Sequence, residues 1–359
     1  MTSPKNPHRR MTQRRIAELA GVSQATVSLV LNGKADAASR IPTATRDRVL
    51  KLIRDTTYVA DPAARRLAGV GNKILGVFTY EPAFPTASQD FYTPLLMGIE
   101  AAAEELGCDL LILTSTPVVD GRRQLFDERH RLRLADGCLL LGREMDTDEL
   151  ERLVAEGFPF VAVGRREAAG VPYVGADYVS GTADLVRRAY DLGHRRFAYV
   201  HLVSSGESVL DRQRGLLTEL DRHPDATVLL RPTDGTSLAD DWQAAREAGT
   251  TVLLAETAKH ALELHARAVA DGVRVPEEMS MIVLGEPAGP AAAAIDFTRL
   301  SPPRTRLAAE ATALLGRILD PDDDVETTEL RTLLDCALIE GSTLAAPPAR
   351  PISGERQHR

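Results

Sequence analysis

The polar side chains with the most regular spacing lie in the segment TQRRIAELAGVSQATVSLVL, from Thr12 to Leu31. Two short apolar patterns of helical spacing flank Gly21, which can adopt the left-handed backbone of a tight turn. Ser23 can then cap the second helix by accepting hydrogen bonds from its first N–H groups. The residues left to face outward are Gln24, Ala25, Thr26, Ser28 and Leu29. Hydroxyl and amide groups there can bond phosphates and base edges, so the segment predicts a helix-turn-helix that enters a groove of duplex DNA.

Charge is divided unevenly along the chain. The 359 residues carry a net charge of −8, but residues 1–72 carry +8 and residues 73–359 carry −16. A basic N-terminal head joined to an acidic body is typical of a DNA-binding module linked to a domain that does not bind DNA. The alternatives are that residues 12–31 form an ordinary helical hairpin and that the basic side chains form a merely solvated face. The basic side chains that we expect to contact phosphates are Arg14, Arg15, Lys34, Arg46, Arg48, Lys51, Arg65 and Arg66.

After residue 72, apolar runs rich in β-branched residues alternate with amphipathic stretches. One series of runs lies at 74–79, 109–114, 137–141 and 159–163, and a second lies at 196–202, 226–231, 251–255 and 280–284. Apolar strands separated by helices predict parallel sheets covered on both faces. Two such series predict two doubly wound lobes.

Several function classes have no support in the sequence. No run of about 18 apolar residues occurs, and the first residues lack the apolar segment of a secretory signal. The three cysteines (Cys108, Cys138 and Cys336) are scattered, which predicts reduced core residues. Neither a nucleotide-binding glycine motif nor a metal-ligand pair is present. We therefore expect a cytoplasmic, nucleoid-associated protein that is not an enzyme and needs no catalytic residue, metal or cofactor.

The order of the N-terminal motifs resembles the lactose-repressor/galactose-repressor family of bacterial transcription regulators. TQRRIAELAGVSQATVSLVLNG is followed by TRDRVLKLI, by Tyr58 and by AARRLAG. Farther along, Asp177-Tyr-Val-Ser-Gly181 and Leu192-Gly-His-Arg-Arg-Phe197 are similar to a family signature. The resemblance implies an all-α helix-turn-helix DNA-binding head. It also implies an α/β core like that of periplasmic binding proteins, with two doubly wound parallel-sheet lobes.

The resemblance and the composition together divide the chain. We expect a flexible N-terminus at 1–10, a helix-turn-helix domain at 11–60, a hinge helix or linker at 61–72, an effector-binding and dimerisation core at 73–345 and a disordered tail at 346–359. Within the core, the N-terminal lobe is expected at about 73–176 and 301–322, and the C-terminal lobe at about 177–300 and 323–345.

The resemblance also assigns residues to DNA contact. Those expected to hold phosphates or orient the second helix are Thr12, Ser23, Thr26, Ser28 and Asn32. Gln24 and Ala25 match base-reading positions, where a glutamine can bond an adenine edge and an alanine can contact a thymine methyl group. Leu29 stands where family members usually carry an arginine that reads guanine. We therefore expect an operator that differs from the usual family consensus at that base pair.

A second DNA-contacting segment follows from the same resemblance. Leu67 matches a hinge leucine that wedges between base pairs in the minor groove, and the adjacent Arg65 and Arg66 suit that narrow groove. The alternative is that Leu67 packs on the body as a linker residue. A single DNA-binding head contacts only a short stretch of DNA. We therefore expect a homodimer that binds a pseudo-palindromic operator.

For the body, the resemblance implies a small-molecule effector, a sugar or related metabolite, that binds between the lobes and changes operator affinity. The residues that match are Tyr80, Phe91, Tyr92, Asp177 and Arg212. Each aromatic could equally be a core residue. Glu256-Thr257 replaces the family's Asn-Asp pair, and Gly285 replaces the aspartate that bonds sugar hydroxyls. These two departures put the usual sugar contacts in doubt.

The sequence therefore favours a transcriptional regulator, most simply a repressor, because a kinked and occupied operator blocks polymerase. A sugar-binding transport protein would share the fold of the body but not the basic head. An orphan DNA-binding regulator of the same fold, with no small-molecule effector, is the alternative that stays open.

Overall fold

The computed structural model describes residues 11–32, 41–56, 71–82, 89–119, 122–126, 131–286 and 294–348. The chain divides into a head that ends at Lys73 and a body that begins at Ile74. Each is described by itself. Within the described ranges, no helix is long and apolar enough to span a bilayer.

The described part of the head forms the helices α1 (Gln13–Ala20), α2 (Gln24–Asn32) and α3 (Thr43–Asp55). Thr12 begins α1, because its Oγ1 accepts a hydrogen bond from the Arg15 backbone N–H at 3.3 Å. Gly21 ends α1 with φ 67° and ψ 37°, the left-handed conformation that favours glycine. Apolar side chains from all three helices then bury one another. They are Ile16, Ala17, Ala20, Val27 and Val49.

The described part of the body alternates strands and helices. Its strands are β1 (Ile74–Thr79), β2 (Asp109–Leu113), β3 (Val118–Val119), β4 (Arg122–Arg123), β5 (Gly137–Leu141), β6 (Phe160–Val163), β7 (Tyr173–Asp177), β8 (Arg196–Leu202), β9 (Thr227–Thr233), β10 (Val252–Ala255), β11 (Ser280–Val283), β12 (Thr298–Ser301), β13 (Arg331–Asp335) and β14 (Ala337–Ile339). Its helices are α4 (Gln89–Glu105), α5 (Thr147–Ala155), α6 (Tyr178–Asp191), α7 (Glu207–Leu220), α8 (Ala239–Glu247), α9 (Ala258–Ala270) and α10 (Arg304–Leu319).

Most of these strands form two sheets, one in each lobe. The first has the order β13-β7-β6-β5-β1-β2 and is parallel throughout. The second has the order β14-β12-β11-β10-β8-β9 and is parallel except for β14, which pairs antiparallel with β12. Strands β3 and β4 form a separate hairpin.

Alternating side chains bury both faces of each sheet. In the first lobe, Val77 packs towards α4 and α10, whereas Phe78 packs towards α5. In the second lobe, Val200 lies in the core under α8 and α9, and Tyr199 lies in the core under α6 and α7. Burial on both faces explains why these strands appear in the sequence as continuous apolar runs. The predicted architecture of two doubly wound parallel-sheet lobes is confirmed.

One part of the expected lobe division is wrong. Residues 323–345 were assigned to the C-terminal lobe, but β13 pairs in parallel with β7 in the first lobe, with Leu333 opposite Gly175. The chain returns to the second lobe only at Cys336, after which β14 pairs with β12. Both are short edge strands, and their local pattern carries no information about which sheet they join.

Candidate functional site: an exposed recognition helix and an interlobe cavity

The position of α2 is set by hydrogen bonds at its first turn. Ser23 Oγ accepts from the Thr26 backbone N–H at 3.1 Å, and the two side-chain hydroxyls lie 2.9 Å apart. Val27, one residue later, is fully buried against α1 and α3. The cap and this anchor together fix which side of α2 faces out.

The outward side of α2 carries the residues proposed to read bases. Gln24 and Ala25 are exposed, and Leu29 keeps 43% of its surface exposed. Thr26 and Ser28 are half-buried beside them. Gln24 Nε2 also donates to Gln13 Oε1 at 3.4 Å, which links the first residues of α1 and α2. Sequence reasoning missed Gln13, although its place directly after the Thr12 cap was a usable signal.

Other residues proposed to contact DNA lie partly or wholly outside the residues that the structure describes. Asn32 ends α2, but its side chain is not described, and Lys34, Arg65, Arg66 and Leu67 lie outside the described residues. Among the described cations, Arg15 Nη1 lies 2.8 Å from Glu18 Oε2, and Arg14 Nε lies 3.5 Å from Glu18 Oε1. The hydrogen bond from Arg15 lowers the pKa of Glu18. All three side chains are solvent-exposed, so these pairs hold the arginines only weakly.

The body contains a cavity between its two lobes, which we call the interlobe cavity. It encloses about 550 Å³ of space free of protein atoms, part of it open to solvent. Its apolar surface includes Phe91, Leu95 and Tyr178. Its charged lining is formed by Arg143, Arg165, Arg166, Arg304 and Asp211.

Two ion pairs join the lobes beside this cavity. Arg165, after β6, donates to both carboxylate oxygens of Asp211 on α7, with Nε···Oδ2 at 2.6 Å and Nη2···Oδ1 at 2.8 Å. The adjacent Arg166 donates to Glu207 Oε2 at 2.8 Å and to the Gly142 carbonyl at 2.8 Å. Burial lowers the pKa of Arg166. The sequence analysis missed both pairs, because no local pattern marks partners 46 and 41 residues apart.

Arg212 was expected to grip a ligand, and in the structure it pairs with a carboxylate of its own lobe. It is buried, and Nη1 donates to Glu256 Oε1 at 2.8 Å and to the Ser208 carbonyl at 3.0 Å. The centre of its guanidinium lies 3.8 Å from the ring centroid of Tyr178. Glu256 also accepts a hydrogen bond from Tyr199, and burial raises its pKa. Glu256 thus engages Nη1 of Arg212, whereas Arg212 Nε is buried and has no hydrogen-bond partner among the described residues.

The other expected effector residues divide between cavity and core. Phe91 lines the interlobe cavity. Tyr80 is 1% exposed and packs edge-to-face on Phe78 at 5.0 Å between ring centroids, which is the core role left open above. Tyr92 is also buried and donates its hydroxyl to Glu81. Asp177 Oδ1 accepts from the Ser180 backbone N–H at 2.9 Å, so this side chain caps α6.

Comparison with known proteins finds a matching family model for each of the two parts of the chain. Residues 13–61 match the model for bacterial regulatory proteins of the lacI family. Residues 186–344 match a periplasmic binding protein-like domain. These matches confirm the predicted resemblance to the LacI family. Among the described residues, no group of three or more histidine, cysteine, aspartate or glutamate side chains could hold a metal ion.

Curated LacI-family relatives match over part of their length. The HTH-type transcriptional regulator CelR of Thermobifida fusca is 32% identical over 54% of this chain and 56% of its own. The sucrose operon repressor of Klebsiella pneumoniae is 32% identical over 50% of this chain and 52% of its own. The chain thus spans little more than half the length of these two relatives.

Solved structures of the LacI family share the fold. A structure of the Lac repressor dimer bound to operator and the anti-inducer ONPF gives a TM-score of 0.71 at 19% identity, covering 94% of this chain and 100% of that one. A CelR–cellobiose complex gives a TM-score of 0.61 at 23% identity, covering 93% and 100%. At these identities, the likeness establishes the fold.

Proposed function

We propose that the chain is a sequence-specific DNA-binding transcriptional regulator that occupies a pseudo-palindromic operator as a homodimer and represses transcription there. The observation that carries this proposal is the exposed front of α2. Gln24, Ala25 and Leu29 face outward from a helix that the Gly21 turn and the Ser23 cap hold in place. Such a helix presents side chains to base edges in the major groove.

Three further observations support the DNA-binding role. The first 72 residues carry a net charge of +8, which favours a polyanion. Relatives bear the names of transcriptional regulators, and one protein of similar fold was solved as a dimer bound to its operator.

We assign phosphate contacts to Thr12, Ser23, Thr26, Ser28 and Asn32. We assign minor-groove contacts to Arg65, Arg66 and Leu67. A protein with this role acts in the cytoplasm, on the nucleoid.

The test is selection of binding sites from random duplex DNA with the purified full chain, at an ionic strength of about 0.15 M. The expected product is a two-fold related pair of half-sites. Gln24→Ala should lose at least one preferred base, whereas Gln243→Ala, at an exposed position on α8, should not. Recovery of unenriched random sequence, with or without added metabolites, would refute the proposal.

We further propose that the interlobe cavity takes a small, sugar-like effector that modulates operator affinity. The cavity draws its lining from both lobes, and the Arg165–Asp211 pair crosses between the lobes at its edge. A ligand there would bias the angle between the lobes, which is the kind of two-state element that allostery requires. Tyr80, Tyr92, Asp177 and Arg212 would then support the site from behind, while Phe91 touches the ligand.

A regulator without an effector is the second candidate, and the Arg212–Glu256 pair favours it. An internal carboxylate already accepts from Nη1 of this arginine and offsets its charge, so the second lobe offers a ligand less net positive charge there. Thermal-shift screening of metabolites against the full chain separates the two candidates. Saturable stabilisation by a metabolite supports the effector, and its absence supports the effector-free regulator.

A further inference from the structure

The first residues of α1 and α2 are both glutamines, and their side chains meet. Gln24 Nε2 donates a hydrogen bond to Gln13 Oε1 at 3.4 Å, between positions 11 residues apart in the chain. Gln24 is exposed, and Gln13 is half-buried beside it. At 3.4 Å the bond is long for an N–H···O contact, so it favours one orientation of the Gln24 side chain without locking it. The contact is made by a residue that we propose reads a base.

The start of each helix holds its glutamine in a fixed place. Each glutamine follows a capping residue, Thr12 or Ser23, whose side-chain oxygen accepts a hydrogen bond from the first turn. Each also lies one helical turn before a fully buried core side chain, Ile16 in α1 and Val27 in α2. Because both helix starts are fixed, only the side-chain torsion angles of the two glutamines remain free, and their mutual contact restricts these.

The amide of Gln24 has enough hydrogen-bonding groups for both an adenine and Gln13. A glutamine amide carries two N–H donors and one carbonyl oxygen. Bidentate recognition of adenine uses one N–H, donated to N7, and the carbonyl oxygen, which accepts from the N6 amino group. The second N–H is left over, and Gln13 Oε1 accepts a hydrogen bond from this amide nitrogen. Gln24 can therefore bond the base while α1 holds it.

We propose that Gln13 is a positioning residue for Gln24 and holds its amide in the orientation that reads adenine. The proposal rests on the proposed DNA-binding role of α2. A glutamine side chain on an exposed helix surface samples several rotamers, and ordering it on binding costs conformational entropy. A contact that already exists in the free protein reduces this cost. Affinity for the matching base therefore rises, whereas a base that the held amide cannot bond gains nothing.

The test is the preference for one base pair, measured with the full chain on the site that the selection described above returns. The base pair in question is the one whose preference Gln24→Ala abolishes. The preference is the dissociation constant for a site changed only at that base pair, divided by the dissociation constant for the selected site. Gln13→Met keeps the length of the side chain but removes the acceptor, and we expect it to reduce this ratio about fivefold. The preference at the base pair assigned to Leu29 should not change.

Three further variants separate positioning from other roles. Gln13→Glu keeps an oxygen acceptor, so the preference should stay near that of the parent chain, although the added negative charge weakens binding to every site. The double variant Gln13→Met, Gln24→Ala should lose no more preference than Gln24→Ala alone, because Gln13 acts only through Gln24. Gln243→Met makes the same substitution at an exposed position of α8 and should change nothing.

Circular dichroism melting of each variant checks that it is folded. Should Gln13→Met melt at a lower temperature than the parent chain, Gln13→Ala removes the same acceptor and replaces it in the comparison. A structural role alone would lower the melting temperature and weaken binding to every site equally, and it would leave the base preference unchanged.

Three outcomes would overturn the inference. They are a preference that loss of the Gln13 acceptor leaves intact, an equal loss of preference at every base pair of the half-site, and a double variant whose fold-change is the product of the two single fold-changes. A parent chain that selects no site would instead refute the regulator itself. Selection of a two-fold site at which Gln24→Ala loses no base would leave the regulator standing and refute the reading by Gln24, together with its positioning by Gln13.

Discussion

Arg165 and Asp211 form a two-bonded ion pair between the lobes of the body, with nitrogen–oxygen distances of 2.6 Å and 2.8 Å. The Asp211 side chain is 2% exposed and that of Arg165 is 14% exposed. Arg165 follows a strand of the first lobe, and Asp211 lies on α7 of the second. The pair therefore stabilises one relative position of the lobes at the edge of the interlobe cavity.

Removing one partner of this pair should destabilise the body. Asp211→Ala removes two charged hydrogen bonds and leaves Arg165 with the exposed Glu167 as its carboxylate partner, so we expect the free energy of unfolding to fall by about 2 kcal/mol. Urea denaturation of the full chain measures this. Asp184→Ala is the matched control, because Asp184 pairs with Arg187 at an exposed site and should cost less than about 1 kcal/mol. Equal losses for the two variants would contradict the assignment.

Close approach of two helices should make Gly98 intolerant of a side chain. A Cβ at this position on α4 would lie 2.1 Å from the Thr305 carbonyl oxygen on α10. Gly98→Ala must push the helices apart, and we expect a loss of about 2 kcal/mol in the free energy of unfolding. Gly285→Ala serves as the control, since its Cβ would meet nothing closer than 3.8 Å. A stable Gly98→Ala variant would show that the helices can separate at little cost.

Leu29 should set the base preference at one position of the operator. A leucine offers apolar contact suited to a thymine methyl group, whereas an arginine can bond guanine O6 and N7. Selection with Leu29→Arg should therefore change the preferred base at one position per half-site to guanine. Leu19 on α1 is similarly exposed, at 46%, so Leu19→Arg is the control for added charge. The same change of base in both variants would rule out a direct contact by residue 29.

Acid should destabilise the body through His194. Its ring is buried, with Nδ1 3.0 Å from Thr251 Oγ1 and Nε2 2.8 Å from the Ala345 carbonyl. Burial lowers its pKa below the usual 6.5. As the pH falls, His194 of the unfolded chain therefore becomes protonated before His194 of the folded chain. The contribution of neutral His194 to the free energy of unfolding is thus fully present above pH 6.5 and is lost as the pH falls below it.

Thermal melting between pH 8 and pH 5 checks this expectation. The melting temperature of the parent chain should fall towards pH 5, and that of His194→Gln, though lower at neutral pH, should fall less. His260 and His265 are also shifted downwards by burial, so part of the dependence should remain. If the melting temperatures of the two proteins fell by the same amount between pH 8 and pH 5, His194 would be excluded as a source of the pH dependence.

Much of the architecture was predictable because its determinants are local. The turn depends on Gly21 and the first-turn cap depends on Ser23 and Thr26, and all lie within six residues of one another. Continuous apolar runs marked the central strands, because both faces of each sheet are covered. The family resemblance rested on the same short motifs and is confirmed by the comparisons.

The sequence by itself determined the helix-turn-helix, the two doubly wound lobes and the basic head on an acidic body. Only the tertiary structure decided that β13 joins the first lobe, that Glu256 holds Arg212 and that Arg165 bonds Asp211. The partners of the two side-chain pairs lie 44 and 46 residues apart. Long-range ion pairs depend on how whole elements dock and leave no periodic trace in the chain.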